Sequence, residues 1–296
     1  MRTCVIFNPA AKGDKARRSR EFIAQASAGC TLKPTTGPGT GRPLAAEAVR
    51  EGFDRIIAAG GDGTLNEILN GVTDEPDGLA RVALGVLPVG TANVFARELR
   101  VPFPLKAAWQ VATGSHLETV DLFRVDCHQG GRPIRRYGLQ LAGAGLDARA
   151  TELVSWKWKK CQGFLAYIAA GFRALRETQP QITVADDDRT ESGQLVLIGN
   201  GRLYGGPFPL FPRADLHDGR LEIRIVGRVN YWTALACGLG VLTGKAGVGL
   251  PSQDLQAAEI ELRADRRTAL QIDGEPVGEL PARIVVLPGR LRVVVP

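Results

Sequence analysis

Three glycines surround one aspartate in the segment Gly60 to Thr64, which lies between an apolar run and the helix-like sequence LNEILNG. Glycines leave backbone N–H groups open to phosphates, and a helix N-terminus adds a favourable dipole. A carboxylate would repel phosphates unless a divalent cation intervenes or the carboxylate acts as a base. The pattern therefore favours phosphoryl transfer over passive anion binding. The alternative is that Asp62 only caps the following helix.

Two other glycine patterns lack a complete nucleotide-binding signature. Gly244-Lys245 has Leu239 where a Walker P-loop needs its first Gly, and Ala246 where it needs Ser or Thr. The stretch Gly143 to Ala148 resembles a dinucleotide fingerprint, but the acidic residue expected about 20 positions later is missing and no clear helix opens there. We interpret that stretch as close backbone packing.

The elements that must position GGDGT follow a repeated order of apolar run, turn and helix-like segment. The apolar runs are Cys4 to Phe7, Arg55 to Ala59 and Val82 to Leu87. They lead into NPAAKG, GGDGT and PVGTAN, respectively. Such units predict a mostly parallel sheet with its ligand site beyond the carboxyl ends of the strands.

The second part of the chain has a different pattern after about residue 117. Apolar alternation in Gln194 to Ile198, Leu221 to Val226 and Ala258 to Leu262 predicts strands. Helical spacing of apolar residues from Leu153 to Arg176 predicts a helix inserted in this β domain.

Composition limits the partners and the compartment. The net charge of +6 favours anionic partners, and no aromatic and basic motif points to nucleic acid. Five scattered cysteines without a CxxC pair fit a reducing cytoplasm. The N-terminus resembles neither a signal peptide nor an anchor, and the apolar run Tyr231 to Thr243 is shorter than the ~20 residues of a membrane-spanning helix.

Six motifs in chain order resemble the diacylglycerol kinase catalytic family. They are Asn8-Pro9 with Gly13, GGDGT, PVGTAN at Pro88 to Asn93, GNGRLYGG at Gly199 to Gly206, Asp218-Gly219, and DGE at Asp273 to Glu275. The family includes bacterial diacylglycerol and phosphatidylglycerol kinases and, more distantly, sphingosine and ceramide kinases. The resemblance implies a phosphofructokinase-like α/β nucleotide domain, a β-sandwich domain, and an active site in the cleft between them.

The resemblance also implies domain bounds and a set of site residues. We expect an ATP-binding domain over 1–120 and a lipid-substrate β-sandwich over 121–296 with its inserted helix near 153–176, and leave open that the C-terminal end returns to the first domain. ATP is implied at Asn8, Pro9, Ala10, Ala11, Lys12, Thr35, Gly60, Gly61, Asp62, Gly63, Thr64, Leu65, Asn66, Glu67, Gly90, Thr91 and Asn93.

Magnesium and the catalytic base are implied at acidic positions. Asp215, Asp218 and Arg220 resemble the magnesium loop of the family, the first and last through backbone carbonyls, and Asp121 resembles an aspartate of its metal network. The alternatives are a plain turn at Asp218-Gly219 and a solvated junction residue at Asp121. Glu275 and Asp62 both match acids that act as the base, and we favour Glu275.

The resulting hypothesis is an ATP- and Mg²⁺-dependent kinase of a lipid hydroxyl, working in the cytoplasm or at the inner face of the membrane. Trp156 to Lys160 interleaves indoles with ammonium groups and indicates membrane contact, or else a half-buried helix with a basic face. Val94 replaces an Asp common in relatives, which leaves the acceptor lipid open. The alternatives are an NAD kinase-type enzyme and an inactive nucleotide-binding regulatory protein. A homodimer stays open.

Overall fold

The computed structural model describes residues 1–9, 14–153, 164–233, 235 and 252–296. Ala10, Ala11 and Lys12 of the predicted ATP turn, and the Trp156 to Lys160 segment, lie outside the described residues. The chain forms two compact units. The first unit is Met1–Asp121 with Pro288–Pro296, and the second unit is Leu122–Leu287.

The first unit alternates strands and helices. In chain order these are β1 Thr3–Phe7, α1 Asp14–Ala26, β2 Thr31–Pro34, α2 Gly41–Arg50, β3 Arg55–Gly60, α3 Asp62–Thr73, α4 Gly78–Arg81, β4 Ala83–Pro88, α5 Val94–Glu98 and α6 Leu105–Ala112. The next strand, β5 Leu117–Gln129, begins in this unit and continues into the second.

The sheet of the first unit is parallel, in the order β2-β1-β3-β4. Every residue of β3 and β4 is buried, as expected for parallel strands that are covered on both faces. The three apolar runs predicted as strands are therefore confirmed. The register pairs Phe7 with both Pro34 and Ala59, and Gly60 with Pro88. The loops after these four strands consequently leave the sheet at one edge.

The second unit is mainly antiparallel. Its elements are β6 Arg132–Gly138, β7 Leu141–Gly145, α7 Leu146–Leu153, α8 Phe164–Ala174, β8 Ile182–Ala185, β9 Thr190–Gly193, β10 Leu195–Gly199, β11 Leu203–Tyr204, β12 Phe208–Pro209, β13 Leu221–Val226, β14 Ser252–Ala257, β15 Glu259–Ala264, β16 Ala269–Ile272 and β17 Glu275–Val294. The last residues of β17 belong to the first unit, where Val293 pairs in parallel with Leu84 of β4.

Antiparallel pairing runs in the order β14-β13-β10-β7-β16-β17. Two further strands join this path at β17: β15, which also pairs with β8, and β5, which also pairs with β6. One buried apolar cluster lies among these strands and includes Phe123, Val196, Ile223, Leu262 and Ile284. The strands predicted around Gln194 to Ile198, Leu221 to Val226 and Ala258 to Leu262 are confirmed. Among the described helices, none combines the length and the apolar character needed to span a bilayer.

The helical part of the second unit corrects one expectation. The prediction that no helix opens after Gly143 to Ala148 is wrong, because α7 begins at Leu146, directly after β7. Its sequence LDARATEL has a mixed apolar pattern that gives only a weak helical signal. The predicted close packing is present, since a Cβ at Gly145 would lie 2.4 Å from the carbonyl oxygen of Gln194. Helix α8 confirms the later part of the helix predicted over 153–176.

Candidate functional site

Two strand-end loops of the first unit meet backbone to backbone. A Cβ built on Gly90 would lie 2.4 Å from the Gly61 Cα and 3.0 Å from the Gly61 nitrogen. Real Cβ atoms do not approach so closely, so only glycine fits at this contact. The Val89 N–H also donates to the Gly60 carbonyl at 3.2 Å. GGDGT and PVGTAN therefore form one continuous surface of bare backbone.

Helix α3 begins inside GGDGT. Gly61 is its N-cap with extended backbone, and this glycine provides no side-chain cap. Asp62 is the first helical residue and not the cap, so the interpretation of Asp62 as a simple cap is wrong. Its half-buried carboxylate instead accepts a hydrogen bond from the Phe95 N–H at 3.3 Å. Asp62 thereby joins the start of α3 to the start of α5.

Asn93 holds the PVGTAN loop closed. Its backbone is left-handed, with φ of 48°, and its side chain is buried. The side-chain oxygen accepts from the Gly90 N–H at 3.0 Å, and the side-chain nitrogen donates to the Gly90 carbonyl at 2.9 Å. The buried Asn93 side chain thus fixes the conformation of the loop. Thr91 of the same loop is exposed, and Val94 is buried at the start of α5.

Glu67 of α3 also fixes a loop, by accepting hydrogen bonds from backbone N–H groups. Its carboxylate accepts from the Gly39 N–H at 2.7 Å and from the Gly41 N–H at 2.8 Å. These donors lie at the start of α2, whose N-cap Thr40 makes no side-chain cap bond. Glu67 therefore supplies the missing cap and fixes the loop that follows β2. Thr35, the first residue of that loop, is buried and donates its N–H to the Phe7 carbonyl at 2.9 Å.

The remaining described ATP positions also lie at this edge. The Asn8 N–H donates to the Ala59 carbonyl at 3.4 Å, and Arg20 of α1 donates to the Pro9 carbonyl at 2.7 Å. Leu65 is buried in α3, and Asn66 accepts bonds from the Asn70 side chain. The structure thus brings together the predicted residues after β1, β2, β3 and β4 that it describes.

Asp121 is buried, so the interpretation as a solvated junction residue is wrong. Its carboxylate accepts from the backbone N–H of Gly289 at 2.7 Å, and Gly289 has a left-handed φ of 58°. A buried carboxylate requires hydrogen bonds or a cation to offset the loss of hydration. The backbone donor supplies part of that compensation.

Glu275 follows a tight hairpin in the second unit. Asp273 and Gly274 both have positive φ, of 50° and 79°, and Ile272 pairs with Glu275 across them. Two left-handed residues in a two-residue hairpin give a type I′ turn, which the Asp-Gly dipeptide favours. The Asp273 carboxylate accepts from three successive N–H groups, those of residues 139, 140 and 141, at 2.9 to 3.1 Å. Glu275 is therefore presented from a fixed turn, half-buried at the start of β17.

The predicted magnesium loop is exposed and rich in oxygen. The Asp215 carboxylate accepts from the His217 N–H at 3.1 Å, and the Asp218 carboxylate accepts from the Arg220 N–H at 2.9 Å. Gly219 has a left-handed φ of 69°, which confirms a turn here. Within the described residues no cluster of three or more acidic, histidine or cysteine side chains is arranged to hold a metal. Carbonyl and carboxylate oxygens are nevertheless the donors that a hard cation takes.

A separate cavity of about 690 Å³ lies in the second unit. None of the predicted site residues lines it. Its charged walls are already paired, because Arg149 bonds both oxygens of Glu177 at 2.8 and 2.9 Å and Arg267 pairs with Glu279.

Comparison with known proteins decides the family. Residues 2–125 match the diacylglycerol kinase catalytic domain, and residues 140–295 match the YegS C-terminal NAD kinase beta sandwich-like domain. A diacylglycerol kinase of Bacillus subtilis is 31% identical over 308 residues, which cover 100% of this chain and 96% of that protein. The chain belongs to the diacylglycerol kinase family of lipid kinases.

Other members of the family agree. A protein of Xanthomonas oryzae named "Probable lipid kinase YegS-like" is 32% identical over 271 residues, covering 90% of this chain and 86% of that protein. A solved diacylglycerol kinase structure from Bacillus anthracis has a TM-score of 0.70 at 21% identity and covers 100% of this chain and 97% of that one. At this identity the solved structure supports the fold alone. The resemblance and the two-domain fold class predicted from the motifs are confirmed.

Sequence reasoning missed several polar residues of this lipid kinase. Asp147, Tyr204 and Gln271 form a hydrogen-bonded group in the second unit, and Asp273 anchors the hairpin before Glu275. Asp147 and Tyr204 lie in the GAGLDA and GNGRLYGG segments, so their motifs were visible. Only their three-dimensional contacts reveal what they bind.

Proposed function

We propose that this lipid kinase transfers the γ-phosphoryl group of ATP to a lipid hydroxyl, with diacylglycerol or a related lipid such as phosphatidylglycerol or a sphingoid lipid as acceptor. The observation that carries the proposal is the Gly61 to Gly90 backbone contact at the start of α3, whose N-cap is a glycine. Bare backbone at a helix N-terminus suits the phosphates of a nucleotide. Family membership supports a lipid as the second substrate.

Phosphate binding in this scheme relies on backbone donors. The first-turn N–H groups of α3 and the glycine N–H groups of GGDGT would face the phosphates, while Asn93, which accepts the Gly90 N–H, and Glu67 keep the loops in place. A side chain at Gly61 or Gly90 would fill the space between the loops. The site therefore fits a nucleotide without a Walker P-loop.

Glu275 is the proposed general base. Its carboxylate accepts the proton of the acceptor hydroxyl as that oxygen bonds to the γ-phosphorus, while the bond between the γ-phosphorus and the bridging oxygen breaks and ADP leaves. Support comes from the anchored hairpin that presents Glu275. Asp62 is the other acid of the hypothesis, and one of its oxygens already accepts from the Phe95 N–H. The anchored hairpin is the reason for choosing Glu275 over Asp62.

Magnesium fits the oxygen donors of the 215–220 loop, where the Asp218 carboxylate and the carbonyls of Asp215 and Arg220 would hold it. By the family resemblance, the buried carboxylate of Asp121 is also proposed as a member of the metal network. A bound Mg²⁺ would neutralise charge on the phosphates.

The acceptor implies contact with a membrane, and one surface of the second unit suits it. This aromatic surface consists of Phe172, Tyr231, Trp232 and Leu235, all exposed, with Trp232 79% exposed. The rings of Phe172 and Tyr231 stack at 6.3 Å. Exposed Arg173, Arg176 and Arg228 lie close to it in sequence. Aromatic rings beside arginines suit the headgroup region of an anionic bilayer.

The activity is tested by transfer of radiolabelled γ-phosphate from ATP, with Mg²⁺, into diacylglycerol, phosphatidylglycerol, sphingosine and NAD. We expect label in one lipid, lost in Glu275→Gln and retained in Glu261→Gln, which changes an exposed glutamate of β15. Label in NAD alone would replace the proposal by an NAD kinase. ATP binding without transfer to any acceptor would indicate a regulatory protein. Full activity of Glu275→Gln would reject Glu275 as the base.

Membrane contact is tested by flotation with vesicles of phosphatidylcholine, with and without phosphatidylglycerol. The double variant Tyr231→Ala/Trp232→Ala should bind the anionic vesicles about 30-fold more weakly, since each ring contributes about 1 kcal/mol when half-inserted. Leu32→Ala, at an exposed leucine of the first unit, serves as the control. Activity on a short-chain acceptor in solution should be unchanged. Equal binding by the double variant and wild type would exclude the aromatic surface as the contact.

A further inference from the structure

A chain of hydrogen bonds in the second unit ends at the hairpin before Glu275. The Tyr204 hydroxyl donates to Asp147 Oδ1, and Gln271 Nε2 donates to Asp147 Oδ2 at 2.8 Å. The Gln271 Oε1 in turn accepts from the backbone N–H of Gly274 at 2.8 Å. The chain therefore links α7, β11 and β16 to the residue immediately before Glu275.

The Gly274 N–H determines which atom donates and which accepts in each of these bonds. The Gly274 N–H can only donate, so Gln271 must turn its oxygen toward the hairpin and its amino group toward Asp147. Asp147 must then accept at Oδ2. An ionised carboxylate accepts at both oxygens, which satisfies Gln271 and Tyr204 together.

The packing around this chain leaves little room for another arrangement. Gln271 is only 1% exposed. A Cβ at Gly143 would lie 2.2 Å from Asp147 Oδ2 and 3.0 Å from Gln271 Nε2. Loss of hydration raises the pKa of the Asp147 carboxyl, although its two hydrogen bonds act in the opposite sense. A carboxylate kept in such surroundings costs stability, which is typical of groups retained for a functional geometry.

We infer that Asp147 is a positioning residue that, through Gln271, fixes the Gly274 N–H and so the placement of Glu275. The inference rests on the proposed function, in which Glu275 receives the proton of the acceptor hydroxyl. The Asp273 carboxylate anchors the same hairpin from the side of residues 139–141. The turn is thus held at both of its residues. Asp147 itself touches no substrate in this scheme.

The most informative test exchanges the carboxylate at position 147 with the amide at position 271. Gln271→Glu retains the bond to the Gly274 N–H but places a second carboxylate against Asp147. The double variant Asp147→Asn/Gln271→Glu restores a donor facing an acceptor with almost the same shape and total charge. In it, the amide introduced at position 147 would donate to the carboxylate introduced at position 271 and accept from the Tyr204 hydroxyl. Asp187→Asn and Gln253→Glu make the same chemical changes at exposed positions and are the controls.

Two measurements follow on the full-length chain. Hydrogen exchange without substrates reports on the peptide covering residues 273–276, and lipid kinase assays give kcat and the KM for ATP. Gln271→Glu should speed exchange in that peptide and lower kcat about 10- to 100-fold with the KM for ATP unchanged. The double variant should return kcat to within about threefold of wild type and restore slow exchange.

The results separate this inference from the proposed function. Wild-type exchange and kcat in Gln271→Glu, or a double variant no better than Gln271→Glu, would overturn the positioning role. A fall in stability shown by all peptides, with no local change at residues 273–276, would also overturn it. If the wild-type chain phosphorylates no lipid, the proposed function fails. The exchange comparison of Gln271→Glu with the double variant would still decide whether Asp147 fixes the hairpin.

Discussion

Replacing Gly90 by alanine tests the contact that carries the proposed nucleotide site. The new Cβ would lie 2.4 Å from the Gly61 Cα, 3.0 Å from the Gly61 nitrogen and 2.8 Å from the Asn93 Oδ1. Carbon atoms in contact settle at about 3.5 to 4.0 Å, so the two loops must separate by about 1 Å. Two of the three atoms are backbone, and the third belongs to the buried Asn93 side chain, so none can move freely.

The magnitude follows from this displacement. Overpacking of this kind costs about 1 to 3 kcal/mol of unfolding free energy. A shift of about 1 Å in a group that positions substrate lowers turnover about 100-fold. Gly90 does not have a left-handed backbone, so the effect comes from the added methyl group and not from a strained φ.

The assay combines ATP binding by calorimetry, kinase kinetics and a urea melt. We expect Gly90→Ala to weaken ATP binding and to lower kcat/KM for ATP about 100-fold. Gly227→Ala is the control, because a Cβ there meets no atom within 4 Å and its backbone is not left-handed. If Gly90→Ala bound ATP as wild type does, with unchanged stability, the two loops would not form the phosphate site.

Three further changes test neighbouring features. Glu67→Gln should lower the free energy of unfolding by about 1 to 3 kcal/mol in a urea melt, because the amide nitrogen of the new side chain would face the N–H of Gly39 or Gly41. An unchanged urea midpoint would contradict the capping role of Glu67. Asn93→Ala should be less stable than Asn93→Gly by about 1 kcal/mol, since alanine resists the left-handed backbone, and equal midpoints would contradict this. Burial raises the pKa of Cys4 to about 12 and of Cys127 to about 11, so both thiols stay protonated at pH 8. Neither should react with an aromatic disulfide reagent until urea unfolds the chain, as followed by peptide mass spectrometry, whereas rapid labelling of native protein would show that these thiols are accessible.

Much of the fold follows from local sequence. The runs at Cys4, Arg55 and Val82 are apolar nearly throughout, which is typical of parallel strands buried on both faces, and the structure has strands there. The three glycines around Asp62 in GGDGT mark a loop at a strand end, because few other functions require several glycines around a polar residue, and PVGTAN marks the next loop with a single glycine. The short helix α7 was missed, since its apolar spacing is weak and its packing partners are distant in sequence.

The family, the order of α/β and β units, and the loops whose glycines suit phosphates can all be predicted from the linear order of residues. The polar residues that hold those loops in place can be identified only from the tertiary structure. Glu67 caps a helix that begins 26 residues earlier, and Gln271 meets Asp147 from 124 residues away. Such contacts leave no periodic signal, because they depend on how distant segments pack and on the need of each buried donor for an acceptor.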